Sequence, residues 1–86
     1  MSEATTTTNH DEIRNWVQTR RGRPSRVKGA RDGGLLRIDF GDPEERLEEI
    51  SWSDFFEIFD RNKLAFLHQD ETADGEKSRF NKFVDR

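Results

Sequence analysis

An aromatic stretch in the second half of the chain constrains the fold more than any other feature. Residues 51–69 read SWSDFFEIFDRNKLAFLHQ and hold much of the large apolar surface of a very polar sequence. Four aromatic residues recur there at i, i+3, i+4 and i+7, which is the spacing of one helical face: Trp52, Phe55, Phe56 and Phe59. In a chain with few other apolar residues, we expect this face to form the core rather than a partner-binding surface.

The residues that flank the stripe predict where this helix begins and ends. Ser51, with Asp54 three residues later, is a suitable N-cap, and Ser53 is an alternative cap. Asn62 is a suitable left-handed terminator. Residues 64–69 then carry apolar side chains on both faces of an extended segment, which is typical of a central strand.

A second helix is predicted near the start of the chain, over about residues 10–21. Asn9 can cap it, and Glu12 can reach back to the cap. Gly22 is the expected left-handed stop and Pro24 prevents continuation. Its apolar stripe consists of Ile13, Trp16 and Val17.

The remaining segments predict strands. Residues 25–28 and 35–40 flank a Gly- and Asp-rich turn over 29–34, where Asp32-Gly33 is a hairpin signal. Residues 46–50 indicate a short edge strand or an extended connector, and residues 79–84 a last strand or a helical turn. We therefore expect an α+β fold with two helices packed on one antiparallel sheet of about four strands, in the order α-β-β-(β)-α-β-β.

Length and composition predict one small domain over residues 9–86, preceded by a disordered tail over 1–8. No apolar run approaches the length of a membrane span, and the first residues lack the pattern of a signal peptide. The sequence has no cysteine, which excludes disulfides and thiolate metal sites. We expect a cytoplasmic protein that binds neither metal nor another cofactor.

Charge is distributed unevenly along the chain. Residues 1–38 contain 8 basic and 4 acidic side chains, whereas residues 39–86 contain 7 basic and 14 acidic ones. Such a split arises when a protein binds an acidic partner, when its two halves attract each other in the fold, or when both faces are simply solvated.

The basic segment over residues 20–31 is the strongest candidate for a nucleic-acid contact. Its RGRP, residues 21–24, is similar to the core of an AT-hook, whose Arg-Gly-Arg lies in the minor groove of A·T-rich DNA. A helix stop followed by a strand explains the same four residues without DNA. The candidate contacts are Arg20, Arg21, Arg23, Arg26, Lys28 and Arg31.

No spacing in the sequence predicts catalysis. The acidic run of residues 44–49 is typical of a solvated face, and no nucleophile, base and orienting group can be assembled from the pattern. His68 lies in an apolar strand, where a structural histidine with satisfied hydrogen bonds is expected, and His10 in a first helical turn, where an exposed one is expected.

From residue 9 to residue 86 the chain resembles a family of small, uncharacterised, mainly bacterial proteins. The similar segments are HDEIRNWVQTRRGRPSRVKG, GGLLRIDF, LEEISWSDFFEIFDRNKLAFLHQD and SRFNKFVDR. Some members carry the label of a glucan-branching enzyme, but a chain this short cannot form the catalytic barrel that the label implies. Members often have Arg-Gly-Gly-x-Pro after the first helix, where this chain has Arg23 at the second glycine. The resemblance implies a stand-alone domain and supplies no catalytic residues.

Together these observations predict a non-enzymatic binding or interaction domain, with a protein as one kind of partner. The alternative is a nucleic-acid-binding protein that uses residues 20–31.

Overall fold

The computed structural model describes residues 3–29, 36–41 and 46–86, and these form an α+β fold. The elements in chain order are β1 (Thr5–Thr7), α1 (His10–Gln18), β2 (Arg23–Val27), β3 (Leu36–Asp39), β4 (Leu47–Glu49), α2 (Trp52–Arg61), β5 (Leu64–His68) and β6 (Asn81–Asp85). The predicted hairpin turn at Asp32-Gly33, the candidate contact Arg31, and Glu44 and Glu45 of the acidic run lie outside the described residues.

The strands form two antiparallel sheets rather than the single four-stranded sheet predicted from the sequence. Sheet I has the order β1-β5-β6 and sheet II the order β3-β2-β4. The prediction of one sheet was wrong because β2 pairs with β3 and β4 only. The β2–β3 hairpin therefore does not pair with the β5–β6 hairpin. Helix α2 contacts β5 of sheet I and both β2 and β3 of sheet II, and it thereby connects the two sheets.

The aromatic stripe of α2 supplies the centre of the core, as predicted. Phe55, Phe56 and Phe59 are buried, and Trp52 packs against the cluster from its edge. The Ser51 hydroxyl accepts a hydrogen bond from the Asp54 N–H at 3.0 Å, which confirms the predicted N-cap.

Residues on the other elements complete this core. Ile13, Trp16 and Val17 of α1 are buried, which confirms the predicted stripe. Sheet I contributes Phe66, which is fully buried, and Phe83, whose ring contacts those of Phe55, Phe59 and Phe66. The predicted central position of the β5 strand is therefore also confirmed.

Both helices end in a left-handed residue, but one position away from the expected one. After α1, Arg21 adopts a φ of 59°, and its N–H donates to the Gln18 carbonyl while the Gly22 N–H donates to the Val17 carbonyl. This is the Schellman arrangement, with arginine where glycine is usual. After α2 the left-handed residue is Lys63, with a φ of 53°, instead of Asn62.

Gly22 is nevertheless constrained, because the chain passes close to the core at this position. A Cβ atom there would lie 2.8 Å from Ile38 Cγ2, 2.8 Å from Val17 Cγ1 and 2.9 Å from Phe40 Cε1. Such distances are shorter than van der Waals contact. Glycine is therefore required for packing between α1 and β3, and not for a positive φ.

The N-terminal segment is ordered into a strand at residues that were expected to be disordered. Thr5, Thr6 and Thr7 pair with His68, Leu67 and Phe66 of β5. The Thr7 hydroxyl also accepts from the Asn9 N–H at 3.0 Å and donates to the Glu12 carboxylate at 2.6 Å. The threonine run is thus held by a sheet edge and a helix cap, which are interactions that composition does not reveal.

The last predicted strands are present with shifted ends. Residues 47–49 pair with β2, and residues 81–85 rather than 79–84 pair with β5. Within the part of the chain that the structure describes, neither helix is long and apolar enough to cross a membrane.

Candidate functional site

Both arginines of β2, the central strand of sheet II, are paired with carboxylates of the neighbouring strands. Arg23 Nη2 lies 3.1 Å from Asp39 Oδ2 of β3, and Arg23 Nε lies 3.7 Å from Glu49 Oε1 of β4. Arg26 Nε lies 2.6 Å from Glu48 Oε1. The basic first half and the acidic second half therefore attract each other within the fold, which was one of the three explanations for the uneven charge.

Within the RGRP segment, Arg21 is exposed and the three residues after it are held against the rest of the protein. Gly22 packs against the core, Pro24 is buried, and Arg23 is ion-paired on both sides. A minor-groove contact of the AT-hook kind requires an accessible extended Arg-Gly-Arg. The structure does not present these residues in that way.

Arg20 acts as a structural clamp between α1 and the loop before β6. Its guanidinium carbon lies 4.2 Å from the centroid of the Trp16 ring. Its nitrogens donate to the carbonyls of Ser78 at 2.5 Å, Asp70 at 2.7 Å and Trp16 at 3.0 Å. Burial lowers the pKa of Arg20 from its ordinary value, and the charge of Asp70 opposes this effect.

The clamp brings together cations from two distant parts of the sequence. Thr19, Arg20 and Arg21 at the end of α1 line one open depression of about 330 Å³ together with Lys77 and Arg79. We call Arg20, Arg21, Lys77 and Arg79 the basic cluster. Lys77 Nζ donates to the Thr19 carbonyl at 3.3 Å.

Two aromatic rings form the base on which two arginines of the cluster lie. Arg20 stacks on Trp16, and Arg79 lies with its guanidinium carbon 5.6 Å from the centroid of the Phe40 ring. Trp16 and Phe40 themselves meet edge to face, with centroids 6.0 Å apart. The planar guanidinium is suited to this stacking, which orients both side chains without consuming their charge.

The exposed members of the cluster have no acidic partner among the described residues. No carboxylate in that part of the chain lies within 4 Å of the charged nitrogens of Arg21, Lys77 or Arg79. Lys28, which was also a candidate contact, is exposed just after β2 and does not line this depression. Of the sequence-predicted site residues that the structure describes, only Arg20 and Arg21 belong to the cluster.

Sequence reasoning did not identify Lys77 and Arg79 as site residues. They lie more than fifty residues after Arg21, in a segment that was considered only as a loop and a strand. The signal that relates them to α1 is the Arg20 clamp on the Ser78 carbonyl, which is a tertiary contact.

A second depression, between β4 and α2, has the opposite character. Its volume is about 520 Å³, and two ion-paired arginines and two isoleucines contribute to its lining. Its acidic residues are Glu48, Glu49, Asp54 and Glu57. The described surface therefore has a basic depression at the end of α1 and a more acidic one between β4 and α2. The opposite charges of such regions largely cancel in the net charge of −3.

His68 is half-buried beside aromatic rings, and one of its ring nitrogens lacks a hydrogen bond. Its ring lies 5.5 Å from Trp16 and 5.6 Å from Phe66, measured between centroids, and its Nδ1 atom is buried without a hydrogen bond. Burial lowers the pKa of His68 from its ordinary value of 6.5, while the nearby Asp70 charge acts in the opposite direction. The expectation that its hydrogen bonds would be satisfied was thus wrong at Nδ1.

His10 is more constrained than a simple exposed histidine. Its ring stacks on Phe56 with centroids 4.0 Å apart, and Nε2 lies 2.9 Å from Asp60 Oδ2. Arg86 Nη2 lies 2.6 Å from the other oxygen of Asp60. Burial favours the neutral form of Asp60, but hydrogen bonds and charge from His10 and Arg86 outweigh it and lower the pKa of the carboxyl.

No group of three or more potential metal ligands occurs within residues 3–29, 36–41 and 46–86. Comparisons of the chain with protein-family models, with curated protein sequences and with solved structures each find no match.

Proposed function

We propose that this protein is a non-enzymatic binding domain that recognises an anionic, phosphate-bearing partner through the basic cluster. The contacts to the partner come from Arg21, Lys77 and Arg79. Arg20 holds the site together and contributes its charge.

One observation carries the proposal. A protein with a net charge of −3 places four cations around one depression, and three of them have no carboxylate partner in the described chain. Bringing like charges together costs free energy unless a counter-charge is supplied. An anionic partner supplies that counter-charge, and phosphate oxygens match the donors of arginine and lysine.

The chemistry of the depression favours binding over catalysis. Among its described lining residues, Thr19 alone has a hydroxyl, and that hydroxyl donates to the Trp16 carbonyl at 3.0 Å. The other lining residues are cationic and cannot accept a proton from a reacting group at neutral pH. These residues bind and orient an anion, and none of them is a general base or a nucleophile.

The site differs in part from the polyanion contact that the sequence predicts. Arg23 and Arg26 stabilise sheet II through ion pairs, and the depression contains Lys77 and Arg79 in their place. The protein partner that the sequence analysis considered remains compatible with the proposal if the partner presents phosphorylated or strongly acidic groups.

The test measures binding of the intact protein to inorganic polyphosphate by calorimetry over a range of salt concentrations. We expect the affinity to fall with added salt, because the contacts release bound counterions. The double variant Arg21→Gln with Arg79→Gln is expected to lose most of the affinity.

A matched control removes two charges elsewhere. Arg14 and Arg26 are also exposed arginines, but each is ion-paired, with Asp11 and Glu48 respectively. The double variant Arg14→Gln with Arg26→Gln should therefore bind as the wild type does. Equal losses in both double variants, or no binding by the wild type at low salt, would refute the proposed site.

A further inference from the structure

One acidic residue, Asp70, contacts both the basic cluster and a histidine. Its backbone carbonyl accepts a hydrogen bond from Arg20 Nη2 at 2.7 Å. Its carboxylate oxygen Oδ1 lies 3.7 Å from His68 Nδ1. A change of charge on His68 therefore occurs next to a residue that also holds a member of the cluster.

The Trp16 ring is a second connection between His68 and Arg20. The guanidinium carbon of Arg20 lies 4.2 Å from the centroid of this ring, and the His68 ring lies 5.5 Å from it, measured between centroids. Trp16 is fixed in place, because it is buried and its Nε1 donates to the Gln69 carbonyl at 3.2 Å. His68 and Arg20 are thus held within about 10 Å of each other, a separation at which charges interact at physiological salt.

The Nδ1 atom of His68 is the position at which a proton would change these contacts. It is buried without a hydrogen bond, and the Asp70 carboxylate at 3.7 Å is just too distant to accept one. A charged histidine donates from both ring nitrogens, whereas a neutral one donates from only one of them. The Asp70 side chain is 75% exposed, so a small rotation brings its carboxylate to a protonated Nδ1.

Three charged groups act on His68 within the described part of the chain. Burial lowers the pKa of His68, and the charge of Arg20 acts in the same direction, whereas the charges of Asp70 and Glu12 raise it. The residues paired with His68 on β1 and β6 are uncharged. His68 is therefore neutral at pH 7 and becomes charged as the pH falls below 6.5.

We infer that protonation of His68 strengthens the binding of the anion at the basic cluster, because a charged His68 pairs with the Asp70 carboxylate that otherwise offsets the charge of Arg20. This inference rests on the proposed function, since the anion is the one that Arg21, Lys77 and Arg79 contact. With His68 neutral, the negative charge of Asp70 acts on Arg20. With His68 charged, that negative charge is balanced, and the positive potential at the cluster increases.

The coupling is reciprocal, so it has two measurable consequences. The affinity for the anion should increase as the pH falls through the pKa of His68, and a bound anion should raise that pKa by the same free energy. For unit charges about 10 Å apart near a protein surface, an increase in pKa of about 0.5 is expected. This corresponds to an affinity about threefold higher once His68 is protonated.

The first measurement follows the ring protons of His68 in the intact wild-type protein by NMR, over a range of pH, with and without long-chain inorganic polyphosphate. The His68 pKa should be higher in the presence of polyphosphate. His10 is the internal control, because it is the other histidine of the sequence and lies at the opposite end of α1 from the cluster. Its pKa should change less.

The second measurement compares the affinity for polyphosphate at pH 7.5 and pH 5.5 at constant salt. His68→Gln should bind as the wild type does at pH 7.5 and lack the histidine-dependent increase at pH 5.5. His10→Gln should retain that increase. The His68→Gln comparison also removes any contribution from titration of the polyphosphate ends, since these are the same for both proteins.

Asp70→Asn tests the shared carboxylate itself. It should bind polyphosphate more tightly than the wild type at pH 7.5, by about twofold, because Arg20 loses the opposing charge. The matched control is Asp11→Asn, which removes the same charge nine residues before Arg20, about 13 Å away along the helix axis. Asp11→Asn should bind as the wild type does.

The outcomes separate this inference from the proposed function. If polyphosphate binding depends on Arg21 and Arg79 but leaves the His68 pKa unchanged or lowers it, the proposed function stands and the coupling is refuted. An increase in affinity at pH 5.5 that His68→Gln fully retains also refutes the coupling. If polyphosphate does not bind the wild type at either pH, the proposed function and this inference both fail.

Discussion

The two sheets are stabilised by different kinds of side chain, although each has three antiparallel strands. Sheet I places Phe66 and Phe83 against the aromatic rings of α2. Sheet II holds its central strand to its two edges with ion pairs from Arg23 and Arg26. Arg23 and Arg26 of sheet II are therefore paired within the fold, whereas Arg21, Lys77 and Arg79 beside sheet I have no carboxylate partner in the described chain.

This difference explains why the charge of a sequence segment is a poor guide to a surface. The basic run of residues 20–31 contains both kinds of arginine. Arg21 and Arg23 are two positions apart, yet the first is exposed without a carboxylate partner in the described chain and the second is ion-paired on both sides.

The largest effect is expected in the apolar sheet. Phe66→Ala removes a fully buried ring that contacts Trp16 and Phe83. The free energy of unfolding should fall by about 3–5 kcal/mol, which is enough to unfold much of a domain this small. Chemical denaturation followed by tryptophan fluorescence measures it. A loss below about 1 kcal/mol would show that sheet I does not depend on this packing.

Gly22→Ala should have the next largest effect, at the point where α1 enters sheet II. The added methyl would overlap Val17, Ile38 and Phe40, so we expect destabilisation by about 1–3 kcal/mol. Gly41→Ala is a suitable control, because a Cβ there meets nothing within 4 Å. Equal melting temperatures for the two variants would contradict the close approach.

The ion pairs of sheet II should differ in strength according to burial. Asp39 is 8% exposed, so Arg23→Gln leaves a buried carboxylate without its charge partner and should cost about 1–3 kcal/mol. Arg26 and Glu48 are both largely exposed, so Arg26→Gln should cost less than about 1 kcal/mol. Denaturation midpoints of the two variants give the comparison. If Arg26→Gln were the more damaging change, burial would not be the deciding factor.

The smallest expected effect is the contribution of His68 in sheet I to the pH dependence of the free energy of unfolding. Its pKa is lowered in the folded protein, so below pH 6.5 the unfolded chain binds a proton that the folded one resists. The free energy of unfolding should therefore decrease as the pH falls from 6.5 toward the folded pKa. His68→Gln should reduce this slope. Asp60 has a lowered pKa in the folded protein, so its ionised carboxylate stabilises the fold at neutral pH. This contribution is lost at lower pH, as the pH falls below 3.8 toward the folded pKa.

Local patterns predicted the helices because their signals lie within a few residues. The Ser51 cap, the stripe of α2 and the stripe of α1 are all confirmed. The division into two sheets was not predicted, because it depends on which strands pair across long stretches of the sequence. The strand at Thr5–Thr7 was missed for a related reason, since its partner lies sixty residues away.

The candidate site was only half predictable from the sequence. A run of arginines pointed to Arg20 and Arg21, but pairing across sheet II removed Arg23 and Arg26, and a tertiary clamp added Lys77 and Arg79. The resemblance to small bacterial proteins stays a prediction.

Matched charge removal tests the central claim most directly, with inorganic polyphosphate titrated into each variant at low salt. Arg21→Gln with Arg79→Gln should lose most of the affinity, whereas Arg14→Gln with Arg26→Gln, which removes the same charge from ion-paired positions, should keep it. If both pairs of substitutions weaken binding equally, net charge rather than the basic cluster governs it, and the account is contradicted.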